Sequence, residues 1–461
     1  MMLTFFSSGS ARNRTIANAK RCHGEYAKGA LLKRETLCAL LLPMLFWSCI
    51  SNSSSKSNAS STPPARTEES RLPAPLIHVY LENSGSMDGY VKGTTDFENA
   101  VYSYLSDLQH ADLGERSPES PAKNVLELNY INSQVLQQRP DVQEFVKALE
   151  PSTFKLRGGN RNTSDISDIL GTILKRTGEN DVSIFISDCI FSPGKRYKVK
   201  DNADEYIIAQ QIGIKNHFRE KLAVMPDLGV VVFRLMSQFN GIFYNKFDDP
   251  QRLNGTRPYF IWLIGRQAQL KRIVEGVDIQ QIKGSGVENM LMISASRAAV
   301  PYGVLPQQSV GSFKLDKKSP KNTIKSAKGN SRGNAASFKL AVGADFSQLL
   351  LPEEYILDPA NYTVSNKAYS VEVSPMANRQ SSYTHIIKLV LKGQIVSKGS
   401  LSVSLVPQLP AWVDTYTDQE GLNVLAEGAM EKTYGLHHLI SGVHDAYGYE
   451  QNYGTITINI K

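Results

Sequence analysis

The sequence predicts an α/β protein: a doubly wound, mostly parallel sheet, followed by a β-rich domain. Three observations carry this. Apolar runs of strand length alternate with helix-length segments from about residue 75 to 280, the pattern of a parallel sheet with crossover helices. From about 295 onward the apolar residues alternate at period two, as in half-buried strands. Three runs in the first region also end in loops rich in oxygen-bearing side chains, and in an open α/β sheet the strand ends are where ligands bind.

The N-terminus reads as an export signal. Lys33-Arg34 precede the apolar run Leu37 to Trp47, which is too short to span a bilayer. The run leads into Phe46-Trp47-Ser48-Cys49, which resembles a bacterial lipobox, with Cys49 the lipidated residue, though Phe46 and Trp47 are bulkier than that pattern usually carries. The alternatives are an ordinary signal peptide or a short uncleaved anchor. Residues 1–30 are long and polar for a leader, which also fits an overextended start. Residues 49–74, with Ser, Asn, Pro and Thr abundant, make a lipidated cysteine and flexible tether. The lipobox resemblance implies a bacterial cell-envelope lipoprotein, held to a membrane by its lipid and facing the periplasm or the surface.

With 461 residues, two domains can each bury a full core. The formal net charge is +7, of which residues 1–48 supply +5 from seven Lys/Arg and two Glu, leaving +2 for the rest. No domain-wide basic field argues for nucleic acid. Beyond the signal only Cys49 and Cys189 remain, so no disulfide framework is available.

The first oxygen-rich segment is Leu76 to Gly89 (LIHVYLENSGSMDG). A strand ends at Glu82, and Ser84 and Ser86 follow two apart. Hydroxyls and a carboxylate are hard ligands that suit Mg²⁺, Mn²⁺ or Ca²⁺. The second is Arg157 to Asp168 (RGGNRNTSDISD), opening a helix that runs through Lys175. The third is Asp181 to Gly194, whose apolar run ends at Asp188. In this order the three resemble the metal-ion-dependent adhesion site (MIDAS) of von Willebrand factor A (VWA) domains, a Rossmann-like fold. The resemblance covers roughly residues 75–275.

It implies a metal held by Glu82, Ser84, Ser86, Asp188 and one residue of the second loop. Ser164 fits the register, with Ile166 and Leu170 behind it, and Thr163 fits the residue type one position earlier. The first acid departs from the family's Asp: the extra methylene of Glu82 either brings the carboxylate to the ion or pushes it out of register. The resemblance also implies a non-catalytic module that binds an acidic residue of a protein partner through Mg²⁺. Two other readings stay open, a metal-free envelope scaffold and a metal-assisted hydrolase drawing on Asp88, Asp165, Asp168 or Lys195.

The remaining elements follow in order. Helical periodicity covers Phe97 to Leu108, Val142 to Leu149, Tyr206 to Leu222 and Ala268 to Val274; strands are expected at Val125 to Ile131, Gln134 to Gln137, Gly229 to Leu235 and Tyr259 to Ile264. The insert Ser237 to Arg257 is a protruding hairpin or a long loop. Residues 281–336 are expected as a linker, with a solvated basic loop at 314–332. Strands at Phe338 to Val342, Asn361 to Val364, Tyr369 to Val373, His385 to Leu391, Leu401 to Leu405 and Gly454 to Ile460, with a helical insertion over Leu422 to Tyr447, suggest an immunoglobulin-like sandwich across 337–461.

His437, His438, His444 and Asp445 match no zinc spacing and read as a structural helix. Ser84 lacks the G-x-S-x-G elbow of a hydrolase nucleophile, and there is no P-loop or dinucleotide fingerprint. Trp262 and Trp412 fall in or beside apolar segments as core residues.

Overall fold

Strand β1 (Leu76–Glu82) is the centre of the first sheet, paired on both sides by parallel neighbours, β2 (Leu126–Ile131) and β4 (Asp181–Ser187). The computed structural model describes residues 73–115, 123–162, 164–192, 200–279, 282–294, 299–330, 338–377, 381–393, 395–448 and 452–461. With β3 (Val135–Gln137), β5 (Leu228–Tyr244), β6 (Pro250–Arg266) and β7 (Val287–Ser294), the sheet has seven strands in the order β3-β2-β1-β4-β6-β5-β7.

The sheet is not mostly parallel. Only β1–β2 and β1–β4 are; β2–β3, β4–β6, β6–β5 and β5–β7 are antiparallel. The reason lies in the stretch read as an insert. Residues 237–257 are the outer halves of β5 and β6, whose pairing runs unbroken from Leu228–Arg266 to Tyr244–Pro250. Five residues join them, and so short a connection permits only an antiparallel return, since a parallel one needs a crossover of about a dozen residues.

Period-two alternation sends the two faces into different cores. Ile77, Val79 and Leu81, with Val182, Ile184 and Ile186, pack against α1 (Asp96–His110), α2 (Val142–Lys147), α3 (Pro151–Leu156) and α6 (Gln267–Gly276). Tyr80, Phe185 and Trp262 face α4 (Ile166–Arg176) and α5 (Lys200–Val224). Helix α3 lies beyond the helix expected at Val142 to Leu149 and starts at Pro151, where the proline takes the first helical position.

Residues 281–336 are not a linker. They supply β7 to the first sheet, then β8 (Tyr302–Val304), β9 (Ser312–Leu315) and β10 (Thr323–Lys328) to a second body. There β11 (Lys339–Ala344), β12 (Tyr362–Val364), β13 (Tyr369–Pro375), β14 (His385–Leu391) and β15 (Gly399–Leu405) follow, with the short helix α7 (Glu353–Leu357) before β12. Later β18 (Gly454–Ile460) completes two sheets, β12-β15-β18-β10-β9 and β13-β14-β11-β8, which share one core. The basic stretch 314–332 is thus partly strand. Its lysines sit where β9 forms the sheet edge, Lys314 opposite Lys325, and Lys325 pairs with Asp316 at 2.7 Å. Edge strands carry such charge without burying it.

Between β15 and β18 the chain leaves this body and packs on the first one. This excursion comprises α8 (Ala411–Thr415), β16 (Thr417–Asp418), β17 (Thr433–Tyr434) and α9 (Leu436–Tyr447). Helix forms only from Leu436, not from Leu422. Leu436, Leu439, Ile440 and Val443 are fully buried in the core that contains Ile214 and Phe218 of α5. At about 1.5–3 kcal/mol per fully buried aliphatic side chain, this is a substantial bond between the two bodies. Residues 65–461 accordingly form one compact unit. Among the described residues no helix is long and apolar enough to cross a membrane. Cys49 lies outside the described residues.

Candidate metal centre

Three loops meet at the C-terminal ends of β1 and β4 because those strands are parallel neighbours. One position past the Leu81–Ile186 pair, Glu82 stands beside Ser187 on the same face. The acid is completely buried. Ser187 donates its hydroxyl to Glu82 Oε2, and Ser164, from the loop before α4, donates to Oε1. Burial, and next the Asp188 carboxylate, push the Glu82 carboxyl up to about 7, against the pull of the serine hydroxyls.

Ser84 and Ser86 are buried too, and their hydroxyls share a hydrogen bond at 3.0 Å. Asp188 is fully buried; its Oδ1 accepts from the Ile190 N–H at 3.2 Å. Its Oδ2 has no hydrogen-bond partner among the described residues, although Ser86 lies close enough to favour the charged form. Burial raises the Asp188 carboxyl above the usual carboxylate range. A buried carboxylate oxygen left without a donor is costly; the charge of nearby Arg257 offsets part of that cost, and a bound cation would offset more.

Of the sequence-predicted ligands, Glu82, Ser84, Ser86, Ser164 and Asp188 converge; Thr163 lies outside the described residues. The donor set suits a hard divalent cation: Ser84, Ser86 and Ser164 offer hydroxyls, and Asp188 offers a free carboxylate oxygen. Both oxygens of Glu82, by contrast, are held by serines. Among the described residues no group of three or more His, Cys, Asp and Glu could hold a metal. The site draws mainly on hydroxyls, which such a group does not include.

Two residues essential to this arrangement are absent from the sequence expectation. Ser187 sits one position inside the apolar run, and its signal was the period-two parity with Phe185 and Ser183. Arg161 lay among the flagged hydroxyls. It braces the first loop, its Nε donating to Asn83 Oδ1 at 2.9 Å, its Nη2 to the Ser84 carbonyl at 2.9 Å and to the Asp88 carboxylate. Its own carbonyl accepts from the Gly85 N–H at 3.0 Å.

The hairpin forms the outer wall. Residues 86–89 make a 3₁₀ turn, and the outer half of β5 lies directly on it. A Cβ on Gly89 would stand 2.3 Å from the Phe239 ring, and one on Gly241 would stand 2.6 Å from the Gly89 Cα. Only glycine at both positions permits this approach. The wall and the metal-site loops enclose a cleft of about 910 Å³ whose lining includes Ser86, Ser164, Ile190, Tyr244 and Asp248.

Behind the wall, Arg257 of β6 is almost fully buried and donates from Nη1 to the carbonyls of Met430 and Lys432, both at 2.9 Å. Arg234 of β5 donates to the Glu431 carbonyl at 2.9 Å and stacks on Tyr416 at 3.6 Å. The excursion from the second body thus holds the hairpin in place.

Two of the hydrolase candidates are engaged elsewhere. Asp88 pairs with Arg161, and Asp165 caps α4 by accepting from the Asp168 N–H at 2.9 Å. Lys195 lies outside the described residues. His437 pairs with Asp414 at 2.6 Å and His438 with Gln211 at 2.7 Å, so these histidines do not converge. Trp262 is fully buried in the core and Trp412 packs partly buried against it. No family model, curated protein sequence or solved structure matches the chain.

Proposed function

We propose that this chain is a non-catalytic envelope lipoprotein whose first body is a VWA-like domain that binds a protein partner through a divalent-metal site. The immunoglobulin-like reading of the second body belongs to the same proposal, with that body orienting the first through the excursion at 411–447. The observation that carries it is the buried Asp188 Oδ2 close to the Ser86 hydroxyl, which bonds that of Ser84, with Ser86 and Ser164 lining a cleft. Ser84, Ser86, Ser164 and Asp188 would hold Mg²⁺, and Glu82 would orient Ser164 from behind. When bound, the ion supplies a coordination position that an external carboxylate can fill.

Manganese binding followed by electron paramagnetic resonance tests this. The whole chain should immobilise one Mn²⁺, and Ser84→Ala/Ser86→Ala should abolish it; an unmodified chain that leaves all Mn²⁺ free would refute the metal reading. The lipid anchor is tested separately. Cells expressing the chain should incorporate labelled fatty acid into it, and Cys49→Ala should remove the label.

A metal-free scaffold is the second reading. It is favoured by the Glu82 oxygens already being served by Ser164 and Ser187. It predicts no metal binding and an intact fold in the Ser84→Ala/Ser86→Ala protein.

A further inference from the structure

The mouth of the cleft differs in charge from its floor. Lys92, Lys155 and Arg252 line it, all three exposed, and none forms an ion pair within the described residues. Of the two acids lining the same cleft, Asp88 pairs with Arg161 and also feels the charge of Lys155, while Asp248 accepts from the Ser192 hydroxyl at 2.5 Å and keeps its charge. With Arg161 the lining holds four cations against these two acids, so its net charge is positive. The three cations come from separate places, Lys92 from the chain before α1, Lys155 from α3 and Arg252 from the hairpin wall. They converge only through the fold. A volume of about 910 Å³ also exceeds what one carboxylate side chain fills and lies at the upper end for ligand clefts.

We infer that Lys92, Lys155 and Arg252 form a second anion subsite, so that the partner segment seated in the cleft is an acidic peptide with two or more carboxylates. One carboxylate addresses the floor at Ser86 and Ser164, as the proposed function requires, and the inference rests on that reading. The others meet the rim, where complementary charge sets partner choice and speeds encounter. Ile242, 41 % exposed on the hairpin wall, adds an apolar contact between the two levels.

The test uses the whole chain and two fluorescent peptides of equal length, a Gly/Ser peptide with a single Glu and one with three, each titrated in Mg²⁺. The three-Glu peptide is expected to bind about tenfold tighter, with the advantage shrinking as salt rises. Lys92→Gln/Lys155→Gln/Arg252→Gln should erase the difference between the peptides. Equal affinity of both peptides for the unmodified chain overturns the inference, as does a triple variant that weakens both by the same factor. Tighter binding to anionic lipid vesicles than to the three-Glu peptide also overturns it. Calorimetric Mg²⁺ titration of the unmodified chain separates the two readings. A rim-dependent preference without Mg²⁺ binding sinks the metal reading and supports the subsite, whereas Mg²⁺ binding without a preference sinks the subsite alone.

Discussion

Ser164 donates its hydroxyl to Glu82 across 82 positions of sequence, tying the loop before α4 to the end of β1. Ser187 completes the grip from β4. In the proposed metal reading, this is the place that Glu82 takes where the resembled family carries an aspartate. The longer side chain lies between two hydroxyls and steadies the loops, leaving Asp188 as the carboxylate with an oxygen to spare.

Ser187→Ala should therefore destabilise the fold. It removes the donor to Glu82 and the acceptor of the Cys189 N–H, which lies 2.7 Å from the hydroxyl. Two buried polar groups lose their partner, and a loss of about 1–3 kcal/mol is expected. Urea unfolding measures it as a lower midpoint at unchanged slope; a shift below about 0.5 kcal/mol would show that the hydroxyl does not hold Glu82.

Gly89→Ala tests the hairpin wall. The added methyl meets the Phe239 ring, and overpacking of this kind costs about 1–3 kcal/mol. Phe239→Leu should recover part of that loss in the double variant, because it removes the atoms being struck. Additive effects of the two substitutions would contradict direct contact.

The clamp between the bodies is tested at Arg257. Arg257→Met strands the partly buried carbonyls of Met430 and Lys432, and a cost of roughly 1–3 kcal/mol follows. The unmodified chain should unfold in one transition seen equally by tryptophan fluorescence and by far-ultraviolet circular dichroism. Two separated transitions in the unmodified chain would mean that the excursion does not couple the bodies.

Burial lowers the His444 pKa to about 4, well below the ordinary value of 6.5. Between those values the unfolded chain binds a proton that the folded chain refuses, so stability falls as pH drops from about 6.5 toward 4. His444→Asn should flatten this part of the stability profile relative to the unmodified chain. Parallel profiles for the two proteins would rule out a buried neutral His444 as the cause.

Much of the site was legible because its chemistry sits at strand ends. The runs into Glu82 and Asp188 are apolar, short and followed by turn residues, so both strand and loop announce themselves. The hairpin was half legible. Val230 to Leu235 and Tyr259 to Ile264 are buried on both faces and read as strands, while Gln238, Asn240 and Arg252 break the outer halves into a pattern resembling loop. The destination of α9 was not legible at all. Leu439, Ile440 and Val443 reveal a helix with a buried face, but periodicity does not say which neighbour buries it. For the same reason parallel and antiparallel order could not be told apart until the length of the β5–β6 turn was known.

The most direct test of the central claim is the unfolding midpoint of the whole chain with and without Mg²⁺, beside Ser84→Ala/Ser86→Ala. At about a 100-fold excess over the dissociation constant, one native-state site stabilises the fold by roughly 2.7 kcal/mol. The account predicts that gain in the unmodified chain and its absence in the double variant. Equal midpoints with and without Mg²⁺ in the unmodified chain would contradict the metal centre and leave the serines as the internal partners of Glu82.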